Sequence, residues 1–284
     1  MLPTAFEPDG SLHEAGIAAL IDSVHGFDAF AVLGFGSECL QLTIEERILV
    51  AAMAAGRRVD QGLVVGCTAT GEDESCRLVE HAASVGADAV MVAPPREFTR
   101  SGSVRAFYER VVGLVGEAAL VVQDAPQWAS REVGARLVVQ LHEEHPSVVR
   151  YVKPEAVPYT ELMAELGNRS GLGMLAGLGG SNYLDALDLG ATGVIPFPEA
   201  ASALDRVADA SGDTRRALFE SLLPLLGFQI QTLEHAMLCS KLLLAERGVA
   251  IGPSMRMPAP KFGDRSRDVL INHAVRAGIL GDER

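Results

Sequence analysis

Lys153 closes the run Ser147-Val148-Val149-Arg150-Tyr151-Val152-Lys153, and Pro154-Glu155 follow it. As a strand, that run places Lys153 on one face with Val149 and Tyr151, opposite Val148, Arg150 and Val152. Pro154 removes a backbone donor, so the strand is expected to stop just after the lysine. A lysine there is costly to bury unless it is used or paired. Desolvation favours its neutral amine, the form that attacks a ketone to make a Schiff base. The competing reading is a lysine whose ammonium snorkels to water. The rest of the chain must decide between the two.

Gln123 ends another apolar run and is expected to point inward beside Lys153. It either orients a substrate oxygen or satisfies the core. Glu155 lies two residues beyond the lysine and shares its face if the strand direction persists past Pro154. It then serves as a general acid/base coupled to the amine, or simply pairs with the ammonium and caps the next loop. Gly34-Phe35-Gly36-Ser37-Glu38 offers backbone N–H groups and the Ser37 hydroxyl to an anion, much as a nest does. Alone it reads as a turn that needs two glycines; in company with Lys153 it reads as a carboxylate site. His142 and His145 stand three apart, but beside Glu143 and Glu144 they read as a solvated helix end, and no metal is expected. No P-loop, Gly-x-Ser-x-Gly elbow or His-Glu-x-x-His occurs, so no cofactor is expected either.

These residues need a scaffold, and the scaffold is a repeat. Gly26-Phe27-Asp28-Ala29-Phe30, Gly86-Ala87-Asp88-Ala89-Val90 and Gly190-Ala191-Thr192-Gly193-Val194 each end a helix with glycine and lead into an apolar strand. Ser11-x-x-Glu14 and Thr43-x-x-Glu46 read as capping boxes. Strands are expected near 29–33, 62–66, 88–92, 119–123, 148–153, 173–177 and 192–195. Helices are expected near 11–25, 43–55, 72–85, 103–116, 130–144, 158–167, 180–189 and 199–210. Short, non-alternating apolar strands separated by helices predict a parallel sheet covered on both faces. Seven strands are clear, and only Met1–Thr4 remain for one before the first helix, so that strand is expected to be short or truncated.

The fold class is therefore α/β, a (β/α)8 TIM barrel over residues 1–212. A helical extension packed on the barrel follows over 213–284. An open doubly wound sheet is the alternative, but no Gly-x-Gly-x-x-Gly follows a first strand. A barrel keeps its site at the C-terminal strand ends, which adds Gly177-Leu178-Gly179-Gly180 and Pro196-Phe197-Pro198 to the candidates.

With 284 residues, 48% of them hydrophobic, the chain can build a full core. A net charge of −13 argues against nucleic-acid and anionic-membrane surfaces. No apolar run reaches membrane-spanning length, no signal peptide is visible, and the four cysteines are scattered, which together predict a cytoplasmic protein.

With these residues in hand, the chain resembles the dihydrodipicolinate synthase / N-acetylneuraminate lyase family of class I aldolases over nearly its whole length. Gly34-Phe35-Gly36-Ser37-Glu38 to Leu42-Thr43-Ile44-Glu45-Glu46-Arg47 looks like the family's Gly-Thr-Thr-Gly-Glu to Leu-Thr-x-Glu-Glu-Arg block. Lys153 falls where the family keeps its Schiff-base lysine. The resemblance implies a barrel with a C-terminal helical extension, a homo-oligomer (tetramer or dimer), and a small-molecule 2-oxo acid as partner. Departures are equally informative. Gln123 replaces the relay tyrosine, Phe35 and Gly36 replace the threonine pair, Pro95-Arg96 replaces a Tyr-Tyr pair, and Trp128 falls near a dicarboxylate-binding arginine. Gln123-Asp124-Ala125-Pro126 and Lys153-Pro154-Glu155 are instead similar to the L-2-keto-3-deoxyarabonate dehydratase-like branch. The resemblance implies Lys153 as nucleophile, Glu155 as acid/base and Gln123 as substrate-orienting residue. Phe35, Gly36, Ser37, Gly177, Gly179 and Pro196 are expected to bind substrate. The expected reaction is dehydration of a 2-keto-3-deoxy sugar acid. Retro-aldol release of pyruvate, a synthase-like condensation and a non-catalytic binding role are the alternatives.

Overall fold

The computed structural model describes residues 1–97, 103–167 and 169–281. Seven parallel strands form one sheet in chain order: β1 (Ala29–Val32), β2 (Gly62–Gly66), β3 (Ala89–Val92), β4 (Ala119–Asp124), β5 (Val149–Pro154), β6 (Gly173–Ala176) and β7 (Gly193–Val194). Parallel neighbours demand crossovers, and helices supply them. These are α2 (Ile44–Arg57), α3 (Glu72–Ser84), α4 (Val104–Val112), α5 (Ala135–Glu144), α6 (Tyr159–Leu166) and α7 (Tyr183–Asp188), with α1 (Glu14–Asp22) before β1 and α8 (Ala201–Asp209) after β7. Consecutive strands pairing in sequence order make a sheet that winds one way, with one face inward and one under the helices.

Alternation along the strands sorts the core into two layers. Ala89, Met91, Ala119 and Val121 pack inside the curled sheet with Val64, Tyr151, Leu175 and Ile195. Val90, Val92, Leu120, Val122, Val149 and Val152 face the helices in the large outer core. One bulge shifts this pattern in β5. Leu120 pairs with Val149 but Val121 pairs with Tyr151, so Arg150 is the extra residue. Val149 therefore lies in the helix layer, not on the face of Tyr151 and Lys153 as simple alternation predicts.

Residues 1–4, expected to supply a short first strand, form none. Leu2 donates one backbone bond to Ala31 of β1 at 2.8 Å, and the Met1 amine donates to the Pro196 carbonyl beyond β7 at 2.7 Å. That segment spans the two sheet edges through side-chain packing and single bonds rather than a ladder.

One of the two expected capping boxes forms. Thr43 Oγ1 accepts from the Glu46 amide at 3.2 Å while the Glu46 carboxylate accepts from the Thr43 amide at 2.8 Å, closing the expected capping box. The box at Ser11 does not form. Ser11 bonds Asp9 instead, and α1 starts at Glu14 without a side-chain cap. The α5 helix begins at Ala135 rather than near 130, because the Asp124 carboxylate takes the Val133 and Gly134 amides at 3.1 and 2.8 Å.

After α8 the described residues are helical only: α9 (Gly212–Gln229), α10 (Leu233–Glu246) and α11 (Asp264–Arg276). The Thr232 hydroxyl accepts from the His235 amide at 3.1 Å and sets the break between α9 and α10. Two buried polar clusters fix α10 to the strand ends. Lys241 pairs with Glu38 at 2.7 Å, and Ser240 donates to Glu199 at 2.7 Å beside the Gln229 amide at 2.5 Å. Burial pushes the Glu199 carboxyl up and the Lys241 ammonium down from their ordinary values. No described helix is long and apolar enough to cross a membrane.

Candidate active site

Lys153 is the penultimate residue of β5 and is 6% exposed. Its register partner on β4 is Gln123, as expected from two strands ending together. Pro154 does not end the pairing. It lies within β5, and beyond it the Glu155 amide donates to the Asp124 carbonyl at 2.8 Å. Because the ladder continues, Glu155 keeps the parity of Lys153 and faces the same interior.

The Glu155 carboxylate is held from three sides. Oε1 lies 2.7 Å from Lys153 Nζ and accepts the Leu178 amide at 3.0 Å, while Oε2 accepts Gln123 Nε2 at 2.7 Å. Its carbonyl accepts Gln127 Nε2 at 2.9 Å. Burying an ion pair costs desolvation that further hydrogen bonds must offset, and the Leu178 amide and Gln123 supply two of them to the carboxylate.

Gly177 makes that placement possible. A Cβ at this position would stand 2.2 Å from Glu155 Oε1. Gly177 does not line the cavity; it leaves room for the carboxylate, which corrects its expected role in binding substrate.

Ser37 is the second correction. Its hydroxyl donates to the Leu2 carbonyl at 2.6 Å and sits 3.2 Å from Met1 Sδ, turned into the N-terminal segment and away from the cavity. The neighbouring Glu38 adopts the left-handed region at φ 56° and accepts from Lys241 Nζ and the Arg256 and Met257 amides. That anchor turns the loop so that Phe35 and Gly36, rather than Ser37, face Lys153.

The cavity is lined by Phe35, Gly36, Gln123, Lys153, Glu155, Gly179 and Pro196, all expected, and by Trp128. The sequence reading missed Met1, Leu178, Ile195, Phe197, Ile230 and Leu233. Leu178 and Phe197 sat inside named strand-end segments. Ile230 follows α9 and Leu233 opens α10, and no local pattern marks them. Free space beside the lysine is about 40 Å³, room for about three waters and hence for the reacting end of a small molecule.

His142 is buried, not solvated. It bonds the Val149 carbonyl at 2.7 Å, while His145 turns to Glu109 at 3.1 Å. Glu109, Glu144 and His145 lie close enough to hold a cation, but Arg105 pairs with both glutamates. The candidate chemistry stays with the lysine.

The Dihydrodipicolinate synthetase family model matches residues 1–274. The chain is 30% identical over 152 residues to the putative 2-dehydro-3-deoxy-D-gluconate aldolase YagE of Escherichia coli K12, covering 51% of this chain and 49% of that protein. It thus spans about half the length of that curated relative. It is 26% identical over 295 aligned positions to a 4-hydroxy-tetrahydrodipicolinate synthase of Methanothrix thermoacetophila, covering 99% and 97% of the two chains. The crystal structure of dihydrodipicolinate synthase from Rhodopseudomonas palustris superposes with a TM-score of 0.85 at 24% identity, covering 97% of this chain and 95% of that one. The chain belongs to the dihydrodipicolinate synthetase family.

Proposed function

We propose that this chain is a lyase that forms a Schiff base between Lys153 and a 2-oxo acid, and that its reaction is dehydration of a 2-keto-3-deoxy sugar acid. One observation carries the reading: a carboxylate, not a phenol, stands against the lysine, with Glu155 Oε1 2.7 Å from Nζ. Lys153 adds to the C2 carbonyl and water leaves, giving an iminium that acidifies the C3 protons. C3 lies two bonds from Nζ, so Glu155 is in reach of its proton. Glu155 takes that proton, the electrons shift toward C3–C4, and the C4 hydroxyl leaves as water with a proton returned by the same carboxyl. Gln123 and the Leu178 amide hold Glu155 in place for both transfers. Phe35 and Gly36 line the cavity and supply the wall for the substrate carboxylate.

Within this reading residues 1–212 form the catalytic barrel, residues 213–284 form the extension whose α9–α10 turn closes the mouth, and the enzyme is a cytoplasmic homo-oligomer. A retro-aldol cleavage releasing pyruvate is the second reading, favoured by the similarity to the YagE aldolase. Intact mass after incubation with pyruvate and sodium borohydride tests the shared step. A lysine-dependent adduct on the native protein, absent from Lys153→Met, supports it; no adduct with any 2-oxo acid sinks it. Product analysis then separates the two, since only the aldolase yields an aldehyde fragment.

A further inference from the structure

Away from Lys153, toward the N-terminal strand ends, the inside of the curled sheet is hollow. Ala29, Ala31, Gly62, Ala89 and Ala119 line it there, where a barrel ordinarily stacks bulky branched side chains. Ala29 pairs with Gly62 and Ala89 with Ala119, so the small residues stand side by side. They leave a cavity of about 380 Å³. Its upper wall, formed by Met1, Ile195 and Pro196, also borders the chamber at Lys153.

Two charged residues line this cavity, Asp88 and Arg150. The Asp88 carboxylate is taken by Arg58 and by the Leu63 amide at 2.8 Å. Arg150 is exposed and pairs with no carboxylate among the described residues; its guanidinium lies 5.6 Å from the centre of the Tyr151 ring. The bulge puts it there. As the extra residue of β5, Arg150 escapes the in–out alternation and borders an apolar interior. Walls of alanine suit hydrocarbon, since an apolar cavity holds apolar guests in preference to water. A guanidinium without a carboxylate suits a carboxylate, whose two oxygens match its paired N–H donors.

We propose that this cavity is a binding site for an aliphatic carboxylate, with the chain among the alanines and the head group on Arg150. The adjoining cleft between β1 and β7 carries Asp28, Asp205 and Asp209, which repel an anion and leave Arg150 as the place for the head group. The site lies apart from the reacting groups and is independent of the Schiff-base reading of Lys153.

Isothermal titration calorimetry on the full chain tests it, with octanoate as probe and octylammonium as the cation of equal chain length. The native protein is expected to bind one octanoate saturably, and octylammonium at least about tenfold more weakly. Arg150→Ala is expected to weaken octanoate about tenfold, the scale of one charge-assisted hydrogen bond. Ala119→Leu, which fills the cavity, is expected to abolish binding. Thermal melts check that both variants fold; Arg150 is exposed, so its variant carries the test if the core substitution unfolds the chain. Octanoate held as tightly by Arg150→Ala as by the native protein places it elsewhere, such as the Lys153 chamber, and overturns the site. Equal affinity for octylammonium, or no saturable octanoate binding, overturns it as well.

Discussion

Glu155 Oε1 stands 2.7 Å from Lys153 Nζ because the backbone pairing of β5 continues one step past Pro154, through the Glu155 amide and the Asp124 carbonyl. The pair is thus set by strand geometry rather than by a loop. Its members are the amine that would form an imine and the carboxylate that would move the C3 proton.

Removing the carboxylate's charge separates the two roles. Glu155→Gln is expected to keep a borohydride-trappable adduct with pyruvate while turnover of a 2-keto-3-deoxy sugar acid falls by about 10²–10⁴-fold. Equal loss of adduct and turnover would show that Glu155 serves only to hold the lysine.

Gly177→Ala should act through Glu155. A Cβ 2.2 Å from Oε1 forces the carboxylate to shift, at a cost of about 1–3 kcal/mol in stability. A displaced carboxylate no longer meets both Lys153 and Gln123, so kcat is expected to fall more than KM changes. Steady-state kinetics alongside a denaturant titration checks both parts.

Lys241→Met tests how the Phe35–Gly36 wall is held. It removes one partner of a pair in which both side chains are fully buried, and loss of about 3–5 kcal/mol is expected. Urea unfolding monitored by circular dichroism reads it; a loss below about 1 kcal/mol would mean that the two backbone amides alone hold Glu38.

Glu199 makes stability depend on pH. Burial raises its carboxyl above the ordinary 4.5, so the unfolded chain gives up that proton first. Its stabilising share is complete below the unfolded value and is lost as pH climbs through the raised folded value. Thermal melts between about pH 4 and 8 should show native Tm falling relative to Glu199→Gln as pH increases. A parallel pair of curves would refute this.

How much of this was legible in the chain varies residue by residue. The glycines at 26, 86 and 190 announced helix ends, and all three take positive φ. Gln123 and Lys153 were expected as neighbours because both end apolar runs, and the register pairs them. Ser37 was misread because its hydroxyl could have served an anion equally well; the Leu2 carbonyl, 35 residues away, takes it instead. Ile230 and Leu233 carry no local signal, since they reach the cavity only after α9 and α10 fold back on the strand ends. The bulge at Arg150 was also invisible, as alternating and bulged strands share one composition.

That bulge carries a further consequence. Side chains on a strand obey an odd–even rule, and Arg150 resets the count three residues before the lysine. Deleting Arg150 alone would keep Val149 opposite Leu120 and Tyr151 opposite Val121, so Lys153 would stay inward beside Gln123 on a regular ladder. Deleting Val152 instead would bring Lys153 opposite Val122, turn it under the helices and leave the inner face with no amine. The nucleophile's address is a matter of parity, and the bulge absorbs one miscount upstream while nothing absorbs one beside the lysine.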